Sequence, residues 1–208
     1  MKTVWKFYLV TLLVILIDQG SKLLVHFNMQ MHEEINVIGD WFRLHYLLNP
    51  GMAFGMQFDI EYGKVLLTIF RIIASGAIAY SIYYLLKSKA HWGLLISLAL
   101  ILGGALGNAI DCVFYGVMID GNVIPNSPTP WFHGQVIDML YFPMVHGVYP
   151  EWIPSVGGNR FIFFSPVFNI ADSAIFIGVV IILIFQNKFA AHESKMKAQQ
   201  AVATEGKS

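Results

Sequence analysis

Residues 92–111 read WGLLISLALILGGALGNAID. The first nineteen carry no charged side chain, and the last is an aspartate. A helix that crosses the hydrocarbon core of a bilayer needs about 20 mostly apolar residues. This stretch therefore predicts a transmembrane helix from about Trp92 to Ile110. Its last part, GGALG at 103–107, is rich in small residues, which let a second backbone approach closely inside a membrane.

Three further stretches meet the same criterion of length and polarity. They run from about Val4 to His26, from about Val65 to Leu86 and from about Ala171 to Phe185. The first begins with basic residues, as a cleavable signal peptide does, but no small-x-small cleavage site follows its apolar run. We therefore expect four transmembrane helices, the first of them retained.

The composition agrees with a small membrane protein that crosses the bilayer several times. Of 208 residues, 56% are apolar and 12% are charged, against about 25% charged in a soluble domain. Thirteen Lys and Arg balance thirteen Asp and Glu, so no basic excess is present to bind nucleic-acid phosphates. The single cysteine, Cys112, excludes an intrachain disulfide and a multi-cysteine metal cluster.

The distribution of lysine and arginine predicts the orientation, because cytoplasmic segments carry an excess of these residues. Eight lie in the N-terminal segment, the loop after the second helix and the C-terminal tail, and four lie on the opposite side. Both termini are therefore expected in the cytoplasm, and residues 27–64 and 111–170 outside. Residues 188–208 are expected to form a polar cytoplasmic tail, as a frayed helix or disordered.

The two outer segments differ in character. Residues 35–38, 41–48 and 52–56 are runs typical of strands, separated by turn residues, and they predict a small antiparallel sheet on the membrane surface. Residues 111–170 are rich in proline and glycine and contain Trp131 and Trp152. That pattern predicts an extended loop region at the membrane interface.

A charge at the centre of a bilayer costs about 3 kcal/mol to insert, so a carboxylate within the membrane is a candidate functional residue. Five aspartates lie at or near the outer ends of apolar segments, of which Asp40 is the weakest candidate. The other four are Asp18, Asp111, Asp138 and Asp172. Asp18 precedes Lys22 by four residues on one helix face, which favours an internal ion pair over a direct chemical role. Asn108 and Asp111, three residues apart, fit a helix contact or a substrate-binding role equally well.

Asp138 and Asp172 have contrasting surroundings. Asp138 stands among apolar neighbours, so burial would favour its neutral form, although it also fits the surface of a short strand. Asp172 follows Asn169, which fits a helix N-cap, and a capping role for the pair is the stronger interpretation from helix patterns alone. One neutral and one charged carboxyl is also the combination needed to hydrolyse a peptide bond.

Other catalytic patterns do not occur in the sequence. The seven histidines have no HExxH or HxxxH spacing, and there is no GxSxG or GxxxxGK[ST] motif. Two alternatives to an enzyme stay open. The intramembrane charges fit a transporter or proton relay, although four helices without an inverted repeat argue against one. A scaffold, with the aspartates as caps and packing partners, is the second alternative.

Five short blocks, taken in order, resemble the lipoprotein signal peptidases, the bacterial membrane aspartyl peptidases. They are DQGSK at 18–22, NPGMAF at 49–54, GGALGNAID at 103–111, GQVID at 134–138 and FNIAD at 168–172. The resemblance covers about residues 10–185. It implies one membrane-embedded peptidase domain at 1–187, with outer insertions at about 27–64 and 111–170 and the sheet as a periplasmic cradle for substrate.

The resemblance also implies an activity. These enzymes remove the signal peptide of a prolipoprotein by cutting before a cysteine that carries diacylglycerol, need no metal or other cofactor, and are targets of cyclic peptides such as globomycin. The family's catalytic aspartates fall on Asp138 and Asp172. Residues that line or support its site fall on Asp18, Lys22, Asn49, Gly51, Asn108 and Asn169.

The resemblance further implies the setting of the enzyme. The expected location is the bacterial inner membrane, with the active site near the periplasmic face. The expected partners are a diacylated prolipoprotein and membrane lipids, and the expected oligomeric state is a monomer. No nucleic-acid partner is expected.

Two features depart from the family pattern. The family places an arginine directly after the GNxxD block, where this chain has Cys112, and Arg71 and Arg160 are the candidates to replace it. Residues 116–134 and 143–166 exceed the compact core of the family. These insertions are expected to restrict access to the site or to contact a partner.

Overall fold

The computed structural model describes residues 4–50 and 63–205. In chain order they form α1 (Val4–Asn28), β1 (Glu34–Ile38), β2 (Phe42–Asn49), α2 (Gly63–Lys87), α3 (Trp92–Ile110), α4 (Gly116–Met118), β3 (Val136–Tyr141), β4 (Val145–Val148), β5 (Arg160–Phe163), β6 (Val167–Phe168) and α5 (Ile170–Glu205). A π-helical turn, Asp111–Tyr115, joins α3 to α4. The predicted class, a mostly helical membrane protein with small antiparallel sheets, is confirmed.

Four of these helices are long and apolar enough to cross a membrane. Their order and approximate bounds are those predicted, and α3 begins and ends where its apolar run does. Half of the third span is buried inside the protein, against 22% or less of each other span. The third span is therefore the centre of the bundle, and the other three expose more of their apolar surface to lipid.

Small residues bring α3 against its neighbours. A Cβ atom on Gly103 would lie 2.7 Å from Cβ of Val14 in α1, and one on Gly104 would collide with the carbonyl oxygen of Ala171 in α5. Larger side chains would therefore push both helices away. The GGALG stretch is a packing surface, as its composition predicts.

A four-stranded antiparallel sheet, in the order β1-β2-β3-β6, lies at one end of the bundle, here called the sheet end. β1 and β2 follow two of the predicted runs, whereas the third run, residues 52–56, lies outside the described residues. Ile137 and Met139 of β3 and Tyr46 of β2 pack on Val25 and Tyr115 from the helices. This apolar contact fixes the sheet on the bundle.

The second outer segment has more regular structure than the predicted extended loop. It contributes β3 and β6 to the sheet, and β4 and β5 form a separate hairpin in which Val145 pairs with Phe163 and Val148 with Arg160. Hydrogen bonding across the strands satisfies backbone groups that a loop would leave to water. We refer to residues 143–166, which contain both strands, as the hairpin insertion.

The polar C-terminal residues continue α5 as a helix to Glu205. The helix rests on the loop between α2 and α3, where the ring of Phe189 lies 5.1 Å from that of His91 and His192 Nε2 lies 3.0 Å from the Lys89 carbonyl oxygen. Glu193 and Lys197 add an exposed ion pair one turn apart. Helix-forming residues and this contact explain a tail more ordered than expected.

Candidate active site

Asp138 lies in the middle strand region of the sheet and is 3% exposed. Its Oδ2 accepts a hydrogen bond of 2.9 Å from Asn49 Nδ2 on β2, and its Oδ1 accepts one of 2.7 Å from Asn169 Nδ2. Burial raises the pKa of the Asp138 carboxyl to about 7, with a further increase from the charge of Asp172. The two amide donors act in the opposite direction.

Asp172 lies in the first turn of α5, as its sequence context predicts. The side chain of Asn169 accepts a hydrogen bond of 2.9 Å from the Asp172 backbone N–H, so Asn169 is the N-cap. The Asp172 Oδ1 atom accepts a bond of 2.8 Å from Asn108 Nδ2. Asp172 is half-buried, and the helix dipole favours a negative charge at this position.

Asn169 and Asn108 connect the two carboxyl groups. The Nδ2 group of Asn169 donates to Asp138 Oδ1 at 2.7 Å and lies 3.3 Å from Asn108 Oδ1. Asn108 in turn donates to Asp172. Two aspartates 34 positions apart in the sequence are thus held by one pair of amide side chains. Asn169 thus caps α5, as predicted, and also contacts Asp138, while its functional role stays a prediction.

Asp18, Lys22 and Asp111 form an ionic cluster beside these amides. Lys22 Nζ lies 2.8 Å from Asp18 Oδ2, 2.7 Å from Asp111 Oδ2 and 3.0 Å from Asn108 Oδ1, and all three ionic side chains are fully buried. The predicted ion pair is therefore present, and Asp111 extends it. Because Lys22 also holds Asn108, the cluster orients an amide that contacts Asp172.

Neighbouring residues enclose the ionic cluster. Gln19 donates to Asp111 Oδ1 at 2.8 Å and accepts from the Tyr115 hydroxyl at 3.0 Å. A Cβ atom on Gly107 would lie 2.6 Å from Asp18 Oδ2. Sequence reasoning did not single out Gln19 or Tyr115. The π-helical turn that places Tyr115 in the site has no pattern that marks it in the sequence.

Cys112 occupies the position at which the sequence departs from the family pattern. Its Sγ atom lies 2.9 Å from Arg71 Nη1 and 3.3 Å from Lys64 Nζ. Arg71 is therefore the candidate arginine that reaches this position, while Arg160 pairs with Val148 in the hairpin insertion. Lys64, which sequence analysis did not select, also donates to the Pro50 carbonyl oxygen at 2.7 Å.

Of the eight predicted site residues, seven are described and one is not. Asp18, Lys22, Asn49, Asn108, Asp138, Asn169 and Asp172 form one continuous hydrogen-bonded network. Gly51 lies outside the described residues, and its role stays a prediction. Within residues 4–50 and 63–205, no three His, Cys, Asp or Glu side chains are arranged to hold a metal ion.

The arrangement is suited to acid–base chemistry. Asp138 accepts hydrogen bonds from amide groups and lies close enough to Asp172 for the two charges to interact. Like charges in close proximity do not both ionise readily, so such a pair holds one proton near neutral pH. A pair of this kind supplies both a proton donor and a proton acceptor to one substrate.

Comparison with known proteins agrees with this geometry. Residues 10–188 match the family described as Signal peptidase (SPase) II. A lipoprotein signal peptidase of Amoebophilus asiaticus is 50% identical over 187 residues, covering 88% of this chain and 78% of that protein. One from Porphyromonas gingivalis is 40% identical over 181 residues, covering 83% of this chain and 78% of that protein.

A solved structure shares the fold. A bacterial membrane enzyme determined by the in meso method has a TM-score of 0.58 and 23% sequence identity, covering 90% of each chain. The family match includes part or all of each of the four spans and every predicted site residue. This chain belongs to the signal peptidase II family and is a membrane peptidase.

Proposed function

We propose that this protein is an aspartic endopeptidase that removes the signal peptide from diacylglyceryl-modified prolipoproteins, cutting before the lipidated cysteine. Asp138 and Asp172 are the catalytic pair in this proposal. The observation that carries it is the double contact of Asn169, which hydrogen-bonds the Asp138 carboxylate and the Asp172 backbone. The names of the relatives supply the substrate class.

The sequence leaves open which aspartate holds the proton, and the environment of each residue favours one assignment. Asp138 is buried and burial raises its pKa to about 7, so it keeps its proton to a higher pH than an ordinary carboxyl does. Asp172 lies at a helix N-terminus, where a carboxylate is stabilised. Asp172 is therefore the base and Asp138 the acid.

The proposed reaction begins with a water molecule between the two side chains. Asp172 takes a proton from this water as its oxygen attacks the scissile carbonyl carbon, and Asp138 gives its proton to the carbonyl oxygen. Asp172 then passes this proton to the amide nitrogen and the C–N bond breaks, while Asp138 takes back a proton from a hydroxyl of the tetrahedral intermediate. A carboxylic acid and a free amine result, and both aspartates return to their starting protonation states. Asn108 and Asn169 orient the carboxyl groups throughout, and Asp18 and Lys22 support Asn108.

The proposed setting is the inner membrane of a bacterium, with both termini in the cytoplasm and the sheet end near the periplasmic face. The Lys and Arg distribution supports this orientation. In it, the catalytic pair lies where a substrate anchored by its lipid in the outer leaflet would present the scissile bond. We propose a monomer that acts within membrane lipids.

The test is cleavage of a synthetic lipobox peptide whose cysteine carries diacylglycerol, by the purified full-length chain in lipid bilayers. Asp138→Asn and Asp172→Asn should each lower kcat by at least about a thousandfold, since each removes one half of the acid–base pair. Asp120→Asn, an exposed carboxyl, is the matched control and should retain full activity. Normal cleavage by either catalytic variant would falsify the assignment.

A further inference from the structure

A cavity of about 590 Å³ lies beside Asp172, between α5 and the base of the hairpin insertion. Seven of the nine described residues that line it are apolar, and the other two are Asp172 and Ser173. The Ser173 hydroxyl donates to the backbone oxygen of Asn169 at 2.9 Å, so its proton is used within α5. The cavity is an apolar space with a catalytic carboxyl at its wall.

The residues that line the cavity come from different elements of the fold. Met144, Phe164 and Pro166 belong to the hairpin insertion. Phe176 and Ile177 belong to the apolar span of α5 and are 69% and 49% exposed. Exposed apolar side chains on a membrane-spanning helix face lipid. The cavity is therefore continuous with the lipid-facing surface of α5.

We propose that this cavity holds an acyl chain of the substrate's diacylglyceryl group, and that the hairpin insertion makes the wall that selects its length. This inference rests on the proposed function, in which the lipid is attached to the residue directly after the scissile bond. A group attached there lies next to the catalytic carboxyl groups. The volume of the cavity is within the range of about 300–1,000 Å³ that small-molecule sites occupy. It is larger than the space that one peptide side chain fills.

Selection in such a cavity depends on fit. The acyl chain is already in the bilayer before it binds, so transfer from water contributes little. Shape still discriminates, because one methylene group changes the specificity of an enzyme's apolar pocket by about 10- to 200-fold. A wall residue that shortens the cavity should therefore disfavour long chains relative to short ones.

The experiment measures kcat/KM of the full-length chain on one lipobox peptide carrying either dioctanoyl or dipalmitoyl glycerol. Met144→Trp fills the cavity from the hairpin insertion, and Ile177→Trp fills it from α5. Each should lower the palmitoyl-to-octanoyl ratio of kcat/KM by about tenfold or more. Met144→Ala enlarges the cavity and should move the ratio in the opposite direction.

Val148→Trp is the matched control, because Val148 lies on the same hairpin, is 58% exposed and does not line the cavity. It should leave the ratio unchanged. Met144→Trp and Ile177→Trp could instead alter the preference for the peptide residue before the scissile bond and leave the preference for acyl length unchanged. In that case a peptide side chain occupies the cavity and the inference is wrong. An unchanged palmitoyl-to-octanoyl ratio of kcat/KM in both of these variants, when both are folded, also overturns the inference.

Failure of the proposed function would look different. In that case the unmodified chain would cleave neither lipidated peptide, or Asp138→Asn would cleave both at the normal rate. If only the inference about the acyl chain is wrong, cleavage still depends on Asp138, but the preference for acyl length does not change in the cavity variants. A folded state of each variant is checked by its thermal unfolding transition in detergent.

Discussion

Two groups of carboxyls lie side by side at the sheet end and differ in how their charge is balanced. In the ionic cluster, Lys22 Nζ lies within 3.0 Å of one oxygen atom each of Asp18, Asp111 and Asn108. In the catalytic pair, the hydrogen bonds to Asp138 come from the amides of Asn49 and Asn169. Asp18 and Asp111 therefore face a cation, whereas the described hydrogen bonds to the Asp138 side chain come from uncharged groups.

This difference in charge balance distinguishes a structural role for the ionic cluster from the chemical role proposed for Asp138 and Asp172. The ion pairs of Lys22 link α1 to the π-helical turn that follows α3, which indicates a structural role. Two interacting carboxyls instead lose their protons in two separate steps, as the proposed acid–base chemistry requires. Asn108 belongs to both groups, since it accepts from Lys22 and donates to Asp172. The ionic cluster thus supports an amide that contacts the proposed catalytic pair.

The largest expected effect breaks the ionic cluster. Lys22→Met keeps the side-chain length but leaves Asp18 and Asp111 buried without their cation. Removing one partner of a buried ion pair typically destabilises a protein by about 3–5 kcal/mol. The apparent Tm in detergent should fall substantially, and cleavage should fall with it because Asn108 loses its anchor.

Lys197→Met is the control for that variant. Lys197 also pairs with a carboxylate, Glu193, at 2.7 Å, but both side chains are exposed. An exposed ion pair contributes little to stability, so no change in Tm is expected. Equal Tm values for the two variants would show that the ionic cluster does not support the fold.

The second prediction concerns the pH dependence of folding stability, because the pKa of Asp138 differs from that of an ordinary carboxyl. Burial raises the pKa of Asp138 to about 7 from 3.8. Between about pH 4 and 7 the folded state therefore holds a proton that the unfolded chain has lost. The contribution of Asp138 to stability is largest below pH 4, declines as the pH rises to 7 and is then constant.

Asp138→Asn removes that decline. Relative to the unmodified chain, the variant should gain stability as the pH rises from about 4 to 7, by up to about 4 kcal/mol. Unfolding measured in detergent across this range gives the difference between the two proteins. Asp120→Asn, at an exposed position, should give a flat difference. A flat difference for Asp138→Asn would mean that Asp138 ionises in the folded state as it does in water.

Much of the fold follows from the sequence, because a membrane restricts its solutions. Apolar runs of sufficient length predicted all four spans, and α3 has the predicted bounds. The hairpin of β4 and β5 was not predicted, since its strands are short and surrounded by turn residues. Its stability comes from pairing between residues more than ten positions apart, which local patterns do not report.

The site was predictable in its members but not in its contacts. Intramembrane aspartates are recognisable because they are costly. Helix patterns also singled out Asn108 and Asn169, and the motif resemblance added Asn49 to the site. Lys64 was missed because a lysine at the start of an apolar helix is an ordinary interfacial residue. Its contact with the Pro50 carbonyl depends on how α2 packs against the segment after β2. Only the tertiary structure contains that information.

The smallest expected effect separates two residues near Asp138 that act differently. Asn49 donates directly to the Asp138 carboxylate at 2.9 Å, whereas Lys64 donates to the backbone of the next residue, Pro50, at 2.7 Å. The Asn49 hydrogen bond lowers the pKa of Asp138, so Asn49→Ala should raise that pKa further. Because the proposed acid must be protonated, activity should then persist to higher pH.

Lys64→Met provides the contrast. It removes a hydrogen bond that orients the backbone beside Asn49 but leaves the Asp138 carboxylate with both amide donors. We expect a loss of kcat of about tenfold, equivalent to about 1.4 kcal/mol for one charged hydrogen bond, with the alkaline limb of the pH–rate profile in its original place. A shift of that limb in Lys64→Met as large as in Asn49→Ala would mean that Lys64 acts on the charge of the pair rather than on its position.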